Sequence, residues 1–456
     1  MRNGEVSFWW SQVPFPQAER PLGESITADV AIVGAGYTGL WTAYYLKKAD
    51  PSLRVVILEQ RFAGYGASGR NGGWLANSIT GGREQYVKRF GREAVTRFQL
   101  AANQAVDEVI RVTKAEGIDA DIVKGGEYQV AYDRPQLERL RAWVDAEQTW
   151  QHTDVRFLTA AEANAHVAIE GTLAGAWSPH TARIHPAKLV AGLREAVLRL
   201  GVELYEGTAV SAIAGSTAYT ATGHTVAASV VVRATEGFTA NLKRMHRDWM
   251  PLNSSMVVTE PLPASVWEAI GWSGYDTVGD FAHAYMYAQR TADDRIAFGG
   301  RGRPYRFGSK IDLDGDTPDS TVALLRGLIE RFWPTLRGVR LDHAWSGVLG
   351  VPRDWAATVG IDRASSLAWA GGYVGTGVTS TNLAGRTLTD LILERDTELV
   401  TLPWVNHRVR KWEPEPLRWI AVQALYAAYY AADRSELTHR RTTSPMARLA
   451  DLISGH

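Results

Sequence analysis

Residues 30–39 read Val-Ala-Ile-Val-Gly-Ala-Gly-Tyr-Thr-Gly, and the acidic residue Glu59 stands twenty positions beyond the last of these glycines. The apolar run at 30–33 predicts a buried strand, and residues 40–48 predict a helix after the glycines. A second apolar run, at 55–58, ends beside Glu59. This order of strand, glycine-rich turn, helix, strand and acid is that of a dinucleotide-binding βαβ unit, which we therefore predict here.

Each glycine of this turn meets a physical requirement of dinucleotide binding. Gly34 permits the tight turn, Gly36 lets the backbone approach a pyrophosphate, and Gly39 lets helix and strand pack closely. The free N–H groups and the positive dipole end of the helix suit a phosphate. Glu59 is suited to accept hydrogen bonds from a ribose diol. The alternative is a tight βα turn in an α/β protein that binds no nucleotide.

Composition excludes several classes of protein. Lys and Arg balance Asp and Glu at 49 each, so no charge excess indicates nucleic acid or an anionic surface. The absence of cysteine excludes disulfides, thiolate catalysis and a cysteinyl bond to a cofactor. The histidines lack the paired spacing of metal ligands, so we expect no metal site. With neither a signal-peptide core nor a bilayer-length apolar run, a soluble, cytoplasmic protein that binds no membrane is expected.

A second glycine-rich segment, residues 60–74, follows the acid. It contains five glycines, which disfavour a stable helix or strand, so we predict a loop. Ser68, Arg70 and Asn71 stand among the glycines, and a hydroxyl, a guanidinium and an amide suit a diphosphate and a ribityl chain. NAD-binding domains usually lack such a loop, so the segment favours FAD. A flexible surface loop is the alternative.

Four segments in order carry a family resemblance. They are Gly-Ala-Ser-Gly-Arg-Asn-Gly-Gly at 66–73, residues 184–210, Arg-Ile-Ala-Phe-Gly-Gly-Arg-Gly at 295–302, and Gly-Gly-Tyr-Val-Gly-Thr-Gly-Val-Thr-Ser-Thr at 371–381. The chain resembles the FAD-dependent D-amino acid oxidase superfamily, and most of all its gamma-glutamylputrescine oxidoreductase branch. The resemblance runs from about residue 25 to about residue 400. It implies that the segment at 371–381 closes over the flavin ahead of a helix predicted at 383–393.

The motifs and the resemblance together assign a set of residues to FAD. They are Gly34, Gly36, Tyr37, Thr38, Gly39, Glu59, Gln60, Arg61, Gly66, Ala67, Ser68, Arg70, Asn71, Gly72, Gly73, Val210, Gly372, Gly375, Thr376, Gly377 and Val378. With no cysteine in the chain and no histidine at 60–76, we expect non-covalent FAD. Ala-Thr-Glu-Gly at 234–237 departs from the family's Ala-Thr-Gly, so no contact is assigned there.

The resemblance implies an aromatic substrate chamber and few catalytic side chains. Trp74, Tyr285 and Tyr287 are the candidates for its walls, and Thr379 is expected to face the substrate. Tyr285 and His343 are the candidates for catalysis, with His343 reaching the flavin from the domain junction. The alternatives are ordinary core aromatic residues and a structural histidine.

Two departures from the family bear on the substrate and the acceptor. Related sarcosine oxidases place an oxygen-activating lysine on a strand resembling 295–300, where this chain has Ala297 and Phe298. The electron acceptor is therefore oxygen or another, unknown group. The same enzymes bind a substrate carboxylate with a basic residue where Thr379 stands. This favours an amine, or a longer substrate held at its far end, for which the candidates are Arg290, Arg301 and Arg303.

The predicted fold class is α/β, α+β overall, with a Rossmann-like FAD-binding domain interleaved with an antiparallel-sheet substrate domain. Residues 25–76, 180–240 and 340–400 are assigned to the first domain, and residues 77–179 and 241–339 to the second. Strands are expected at 255–259 and 284–288. Residues 401–456 are predicted as a C-terminal helical extension. Its apolar stripe, which comprises Leu417, Ile420, Ala421, Ala424, Leu425 and Ala428, is expected to pack on the body, with a dimer contact or a membrane-surface helix as alternatives.

These observations predict an FAD-dependent oxidoreductase that oxidises the C–N bond of an amine or amino acid to an imine, which water then hydrolyses. A small-molecule amine of the gamma-glutamylated polyamine type is the expected substrate, and the oligomeric state stays open. One alternative is an FAD-dependent 2-hydroxy acid dehydrogenase, which needs a base such as His343 and an arginine clamp. The other is a flavin monooxygenase-type tailoring enzyme, which needs a second nucleotide site.

Overall fold

The computed structural model describes residues 6–300, 305–311, 315–439 and 443–444. Its strands, in chain order, are β1 (Ile26–Val33), β2 (Val55–Leu58), β3 (Trp74–Leu75), β4 (Glu127–Ala131), β5 (Arg156–Thr159), β6 (Ala174–Ser178), β7 (Ala182–Arg183), β8 (Glu203–Tyr205), β9 (Val210–Ala214), β10 (Thr217–Thr220), β11 (Thr225–Arg233), β12 (Met250–Thr259), β13 (Thr277–Asp280), β14 (Tyr287–Arg290), β15 (Ile296–Gly300), β16 (Leu341–Val351), β17 (Thr358–Asp362) and β18 (Leu367–Gly371).

The helices alternate with these strands. They are α1 (Phe8–Ser11), α2 (Tyr37–Ala49), α3 (Glu84–Ala115), α4 (Arg134–Gln148), α5 (Ala160–His166), α6 (Pro186–Arg199), α7 (Ala264–Ile270), α8 (Asp319–Phe332), α9 (Gly377–Ile392) and α10 (Leu417–His439). His185 caps α6 because its Nδ1 accepts the N–H of Lys188 at 3.2 Å, while Pro186 starts the helix without losing a needed donor.

One sheet surrounds the predicted dinucleotide-binding unit. Its strands run in the order β17-β18-β11-β1-β2-β8, and the β9–β10 hairpin joins β11. The pairs β18–β11, β11–β1, β1–β2 and β2–β8 are all parallel. Residues 30–33 and all of β2 are buried, as expected of parallel strands that are covered on both faces.

The second sheet is mainly antiparallel and has the order β16-β12-β15-β14-β13-β4-β6-β5. The β13–β4 pair is its parallel contact. Its strands alternate along the chain with those of the first sheet, so both sheets are assembled from distant segments. The combination of a parallel sheet with helices and a largely antiparallel sheet confirms the predicted fold class.

The structure corrects three local expectations. The FAD-binding domain is expected to resume at residue 340, which would place β16 in it. Strand β16 instead pairs with β12 over almost its whole length and so belongs to the second sheet. Residues 284–286 precede β14 as a loop rather than a strand. Finally, α9 begins at Gly377, six residues before the predicted start, because the glycine-rich loop turns directly into the helix.

Most of the apolar stripe on α10 does not pack on the body, since four of its six residues are exposed and the other two, Leu425 and Ala428, are half-buried. Leu417 is 61% exposed and Ile420 is 53% exposed, whereas Arg418, on the other face, is 1% exposed. The buried face consists of Arg418, Val422, Tyr426, Tyr429, Ala432 and Glu436. Aromatic rings and buried ion pairs therefore hold α10 against the rest of the protein. A pattern of apolar residues in the sequence does not predict this buried face. In the described part of the chain, no helix has both the length and the apolarity needed to cross a bilayer.

Candidate active site

The turn between β1 and α2 has the geometry that its glycines predict. Gly34 has a φ of +105°, and an added Cβ would lie 2.6 Å from the carbonyl oxygen of Ala234. A Cβ on Gly39 would lie 2.0 Å from the carbonyl oxygen of Gly34, so helix and turn touch through bare backbone. Gly36 caps α2 without a side-chain bond, which leaves N–H groups of the first turn directed outward.

The second glycine loop lies against the start of α2. Ser68 Oγ accepts the N–H of Tyr37 at 2.9 Å. Asn71 holds the loop together, since its Nδ2 donates to the carbonyl oxygen of Ser68 at 2.9 Å and its Oδ1 accepts the N–H of Gly73 at 2.8 Å. The two glycine loops therefore form one wall.

A cavity, here called the nucleotide cavity, opens along this wall and has a volume of about 1180 Å³ with its solvent-open part included. Fourteen of the residues assigned to FAD line it, namely Gly34, Gly36, Tyr37, Thr38, Glu59, Gln60, Gly66, Ala67, Ser68, Asn71, Val210, Gly375, Gly377 and Val378. The carboxylate of Glu59 accepts the N–H groups of Ala35 at 2.8 Å and Arg61 at 3.0 Å, while burial raises its pKa. These contacts fix the carboxylate at the end of β2.

The other residues assigned to FAD lie elsewhere. Gly39 packs on Gly34, and Arg61 lies over the ring of Tyr65, 5.7 Å from its centroid. Arg70 donates to the carbonyl oxygens of Tyr65 and Ser346, so its guanidinium holds backbone. Three of these residues line a second cavity, namely Arg70, Gly72 and Thr376, while Gly73 and Gly372 border neither cavity.

Glu236 is a wall residue that the sequence did not identify. Its carboxylate accepts the N–H groups of Tyr373 at 3.0 Å and Gly372 at 3.3 Å, and it lines the nucleotide cavity. Burial raises its pKa to about 7. The residue has a φ of +42°. The glutamate that interrupts the family pattern at 234–237 thus ties β11 to the closing loop, and that departure was the available signal.

The second cavity, here called the chamber, lies between the sheets and has a volume of about 1650 Å³ with its solvent-open part included. Five residues line both the chamber and the nucleotide cavity, namely Ala67, Asn71, Leu349, Gly375 and Val378. The two cavities therefore meet at the second glycine loop and the closing loop. A group bound along the nucleotide cavity would reach the chamber at this junction.

Aromatic residues form the chamber wall beside this junction. The Tyr287 hydroxyl lies 2.8 Å from Ser254 Oγ, and its ring packs against Gly72, where an added Cβ would lie 2.7 Å from the ring. Trp74 meets Tyr287 edge-on with the ring centroids 6.3 Å apart, and its Nε1 donates to the carbonyl oxygen of Ala288. Tyr285 also lines the chamber and is 37% exposed.

Three expected site residues lie outside the chamber. Thr379 is 2% exposed and borders a separate small cavity, because the early start of α9 turns it towards α3. His343 packs on Phe8 with the ring centroids 5.4 Å apart and borders neither large cavity. Arg290 pairs with Asp294 at 2.6 Å and lies over the ring of Trp267. The roles expected for these three are corrected; Arg301 and Arg303 lie outside the described residues.

Helix α10 holds the outer wall of the chamber. Asp433 accepts the N–H groups of His283 at 2.8 Å and Ala284 at 2.9 Å. Glu436 pairs with Arg139 at 2.9 Å and contacts the imidazole of His283 at 3.1 Å. The ligand atoms of His283, Asp433 and Glu436 lie within 4.8 Å of one another, but each already has these hydrogen bonds. These contacts join residues that are far apart in the chain, so no local sequence pattern predicts them.

The site residues fit a dinucleotide. A Cβ at any of three glycines of the first turn would collide with neighbouring protein atoms, so the close packing of this turn requires bare backbone, as in a dinucleotide-binding turn. The nucleotide cavity runs from Glu59 past the start of α2 to the closing loop. This order suits, in turn, a ribose, a pyrophosphate and a ring system that ends at the chamber.

The comparisons with known proteins agree with this geometry. Residues 29–391 match the model of the family described as FAD dependent oxidoreductase (DAO). Gamma-glutamylputrescine oxidoreductase of Escherichia coli (strain K12) is 30% identical over 393 residues, which cover 84% of this chain and 88% of that protein.

Solved structures agree in fold. Glycine oxidase from Geobacillus kaustophilus superposes with a TM-score of 0.68 at 22% identity, covering 84% of this chain and 99% of that one. L-proline dehydrogenase from P. horikoshii superposes with a TM-score of 0.68 at 19% identity, covering 83% and 96%. At these identities the likeness bears on the fold alone.

Proposed function

The chain belongs to the DAO family of FAD-dependent oxidoreductases, and from that premise we propose that it oxidises a primary or secondary amine of the gamma-glutamylputrescine type. FAD, when bound, accepts a hydride equivalent from the carbon next to the nitrogen. The substrate loses this hydride from carbon and a proton from nitrogen, which leaves an imine. Water then hydrolyses the imine to an aldehyde and an amine or ammonia.

The observation that carries the proposal is the junction of the two cavities. The residues common to both belong to the two loops expected to hold FAD and to β16. The chamber beside them is walled by Trp74, Tyr285 and Tyr287. Aromatic walls bury the carbon chain of an amine and exclude water from the reacting carbon.

Chain residues at the closing loop are placed to favour reduction. Helix α9 begins at Gly377, which lines the nucleotide cavity, so the positive end of its dipole lies beside the junction. A positive dipole end stabilises negative charge that develops on a bound ring. The hydroxyl oxygen of Thr376 lies 2.6 Å from that of Thr80 and 3.0 Å from the carbonyl oxygen of Tyr373, to which it donates. These hydrogen bonds fix the loop ahead of the helix.

The alternative chemistries find less support. A 2-hydroxy acid dehydrogenase needs a base and an arginine clamp in the chamber, but His343 lies against Phe8 and Arg290 pairs with Asp294. Both of these residues lie outside the chamber, and of the arginines that line it in the described part of the chain, Arg70 donates to backbone carbonyl oxygens and Arg139 pairs with Glu436. An amine that needs no carboxylate clamp fits this wall better.

The experiment is an anaerobic comparison of reductants. Gamma-glutamylputrescine, a 2-hydroxy acid such as lactate, and NADPH are added in turn to the FAD-loaded protein, and flavin absorbance is followed. We expect only the amine to bleach the flavin and to yield an aldehyde. Bleaching by lactate or by NADPH alone would overturn the proposal. Admitting air afterwards shows whether oxygen serves as the acceptor.

A further inference from the structure

A third cavity extends the chamber away from the flavin junction. It lies between α3, α4 and β4 and has a volume of about 1000 Å³ with its solvent-open part included. Four residues line both this side cavity and the chamber, namely Ser78, Glu127, Gln129 and Trp143. The side cavity therefore adjoins the chamber along these four residues, and one of them, Glu127, is a carboxylate.

Glu127 is a carboxylate without a cation. Its Oε1 accepts Gln129 Nε2 at 2.6 Å and its Oε2 accepts Thr181 Oγ1 at 3.2 Å. Both partners are neutral, and no ion pair to Glu127 forms among the residues that the structure describes. A partly buried carboxylate bound only by neutral groups is costly, and a bound cation lowers that cost.

Of the other charges of the side cavity, Glu84 is exposed to solvent, and Arg83 and Glu147 pair with each other. Arg83 forms an ion pair with Glu147 and donates to Gln99 Oε1 at 2.7 Å. Its guanidinium also lies over the ring of Trp150. Burial raises the pKa of Glu127, as the neighbouring charge of Glu147 also does. Glu127 is thus the partly buried acid of this wall that lacks a cation among the described residues and that a positive ligand would satisfy.

Sheet register places Glu127 on the same face as the flavin-side wall. Tyr287 pairs with Gly279, and Gly279 pairs with Gln129, so the three residues form one row across β14, β13 and β4. Glu127 precedes Gln129 by two positions and therefore faces the same side. Two strand spacings and two residues of rise put the Cα atoms of Glu127 and Tyr287 roughly 12 Å apart.

We propose that Glu127 binds an ammonium group at the far end of the substrate, while the amine that is oxidised lies at the flavin junction. This rests on the proposed function and narrows it to amines that carry a second cation about a dozen ångströms away. Two kinds of substrate share that chemistry: a γ-glutamylated amine, through its α-ammonium group, and a long diamine, through its outer ammonium group.

The test compares substrates that differ only in this ammonium. Gamma-glutamylputrescine is matched with glutarylputrescine, which keeps the carboxylate but lacks the α-ammonium, and 1,8-diaminooctane is matched with octylamine. The rate of anaerobic flavin reduction is measured against amine concentration in the FAD-loaded protein. The native protein should bind the ammonium-bearing member of at least one pair roughly 10- to 150-fold more tightly, as expected for a hydrogen-bonded charge.

Two variants assign the effect to Glu127. Glu127→Gln should remove most of this preference by weakening the ammonium-bearing member, while the limiting reduction rate and the partner amine change less than about threefold. Asp145→Asn, an exposed carboxylate on α4, removes the same charge and should keep the preference. Glu127→Asp, which keeps the charge on a shorter side chain, should keep part of it.

The outcomes separate this inference from the proposed function. If no amine bleaches the flavin, the proposed function fails. If both members of each pair reduce the native protein with equal affinity, or if Glu127→Gln keeps the preference, only the role of Glu127 is overturned. If Glu127→Gln does not retain FAD, the role of Glu127 is tested by the preference of the native protein and by the change of that preference in Glu127→Asp. Preference in one pair but not the other identifies which ammonium source the site accepts.

Discussion

Ser68 Oγ accepts a hydrogen bond of 2.9 Å from the backbone N–H of Tyr37, the first residue of α2. This contact joins two glycine-rich segments that are separated by more than twenty residues of helix and strand. Thr38, the next residue of α2, lies 3.1 Å from the Tyr373 hydroxyl of the closing loop. The start of α2 therefore connects the loops that surround the nucleotide cavity, and its environment should be intolerant of change.

Replacing Gly36 by valine should abolish FAD binding. A Cβ at this position would lie 2.9 Å from Ser68 Oγ, and the larger side chain would fill the space above the helix start. The measurement is the ratio of flavin to protein absorbance after purification with added FAD. Gly23→Val is the matched control, because no atom lies within 4 Å of its added Cβ, and it should stay yellow. A Gly36→Val protein that keeps its full flavin content contradicts this placement.

Glu236→Gln should change how stability depends on pH. The pKa of Glu236 is raised to about 7 in the folded protein, so its contribution to stability is present below its ordinary value near 4.5 and is lost as pH rises through about 7. A glutamine cannot ionise, so the variant escapes this loss. The free energy of unfolding of the variant, relative to that of the native FAD-free protein, should therefore rise by up to about 3 kcal/mol between pH 5 and pH 8.

The check on Glu236 is the difference in Tm between variant and native protein at several pH values. Asp280, whose pKa burial raises to about 6, has the same sign of pH dependence but is present in both proteins and cancels in the difference. A difference that stays constant from pH 5 to pH 8 would show that the carboxylate of Glu236 is ionised throughout.

Thr379→Val should leave amine oxidation intact and raise stability. The hydroxyl of Thr379 is buried and has no hydrogen-bond partner within the described residues, so removing it relieves an unsatisfied polar group. The expected gain is about 1 kcal/mol, visible as a higher Tm. Because Thr379 borders a cavity separate from the chamber, the concentration dependence of flavin reduction should not move. A weaker affinity for amines would return Thr379 to the substrate wall.

Tyr287→Phe should slow or weaken amine oxidation without releasing FAD. The substitution keeps the ring beside Gly72 and Trp74 but removes the hydroxyl that lies 2.8 Å from Ser254 Oγ. We expect a loss of roughly 3- to 10-fold in kcat/KM, the size of one neutral hydrogen bond, with unchanged flavin content. Ser254→Ala should give a similar loss, and the double variant should lose little more. Additive losses would show that the two hydroxyls act independently.

Local patterns predicted the dinucleotide unit. Strand β2 occupies residues 55–58 as predicted, and the glycine turn stands between β1 and α2, because hydrophobic periodicity and glycine spacing act within a few residues. The order of the later motifs added the family. The fold class, the FAD cofactor and the oxidation of a C–N bond are confirmed, whereas the assignment of individual residues to FAD and substrate stays a prediction.

Contacts across long stretches of chain were not predictable in the same way. His343 was expected near the flavin, but its ring packs against that of Phe8, which comes from a helix near the start of the chain. On α10 four of the six buried positions named above are aromatic or charged, and Glu436 among them pairs with Arg139, almost three hundred residues away. Burial there depends on the partner and not on apolarity, so the stripe that includes Leu417 was misassigned.

The measurement that tests the central claim most directly is the visible spectrum of the purified protein without oxygen, before and after addition of gamma-glutamylputrescine. The account predicts the bands of oxidised flavin at the start and their loss on adding the amine. A colourless protein that cannot be loaded with FAD, or a flavin that no amine bleaches, would contradict it.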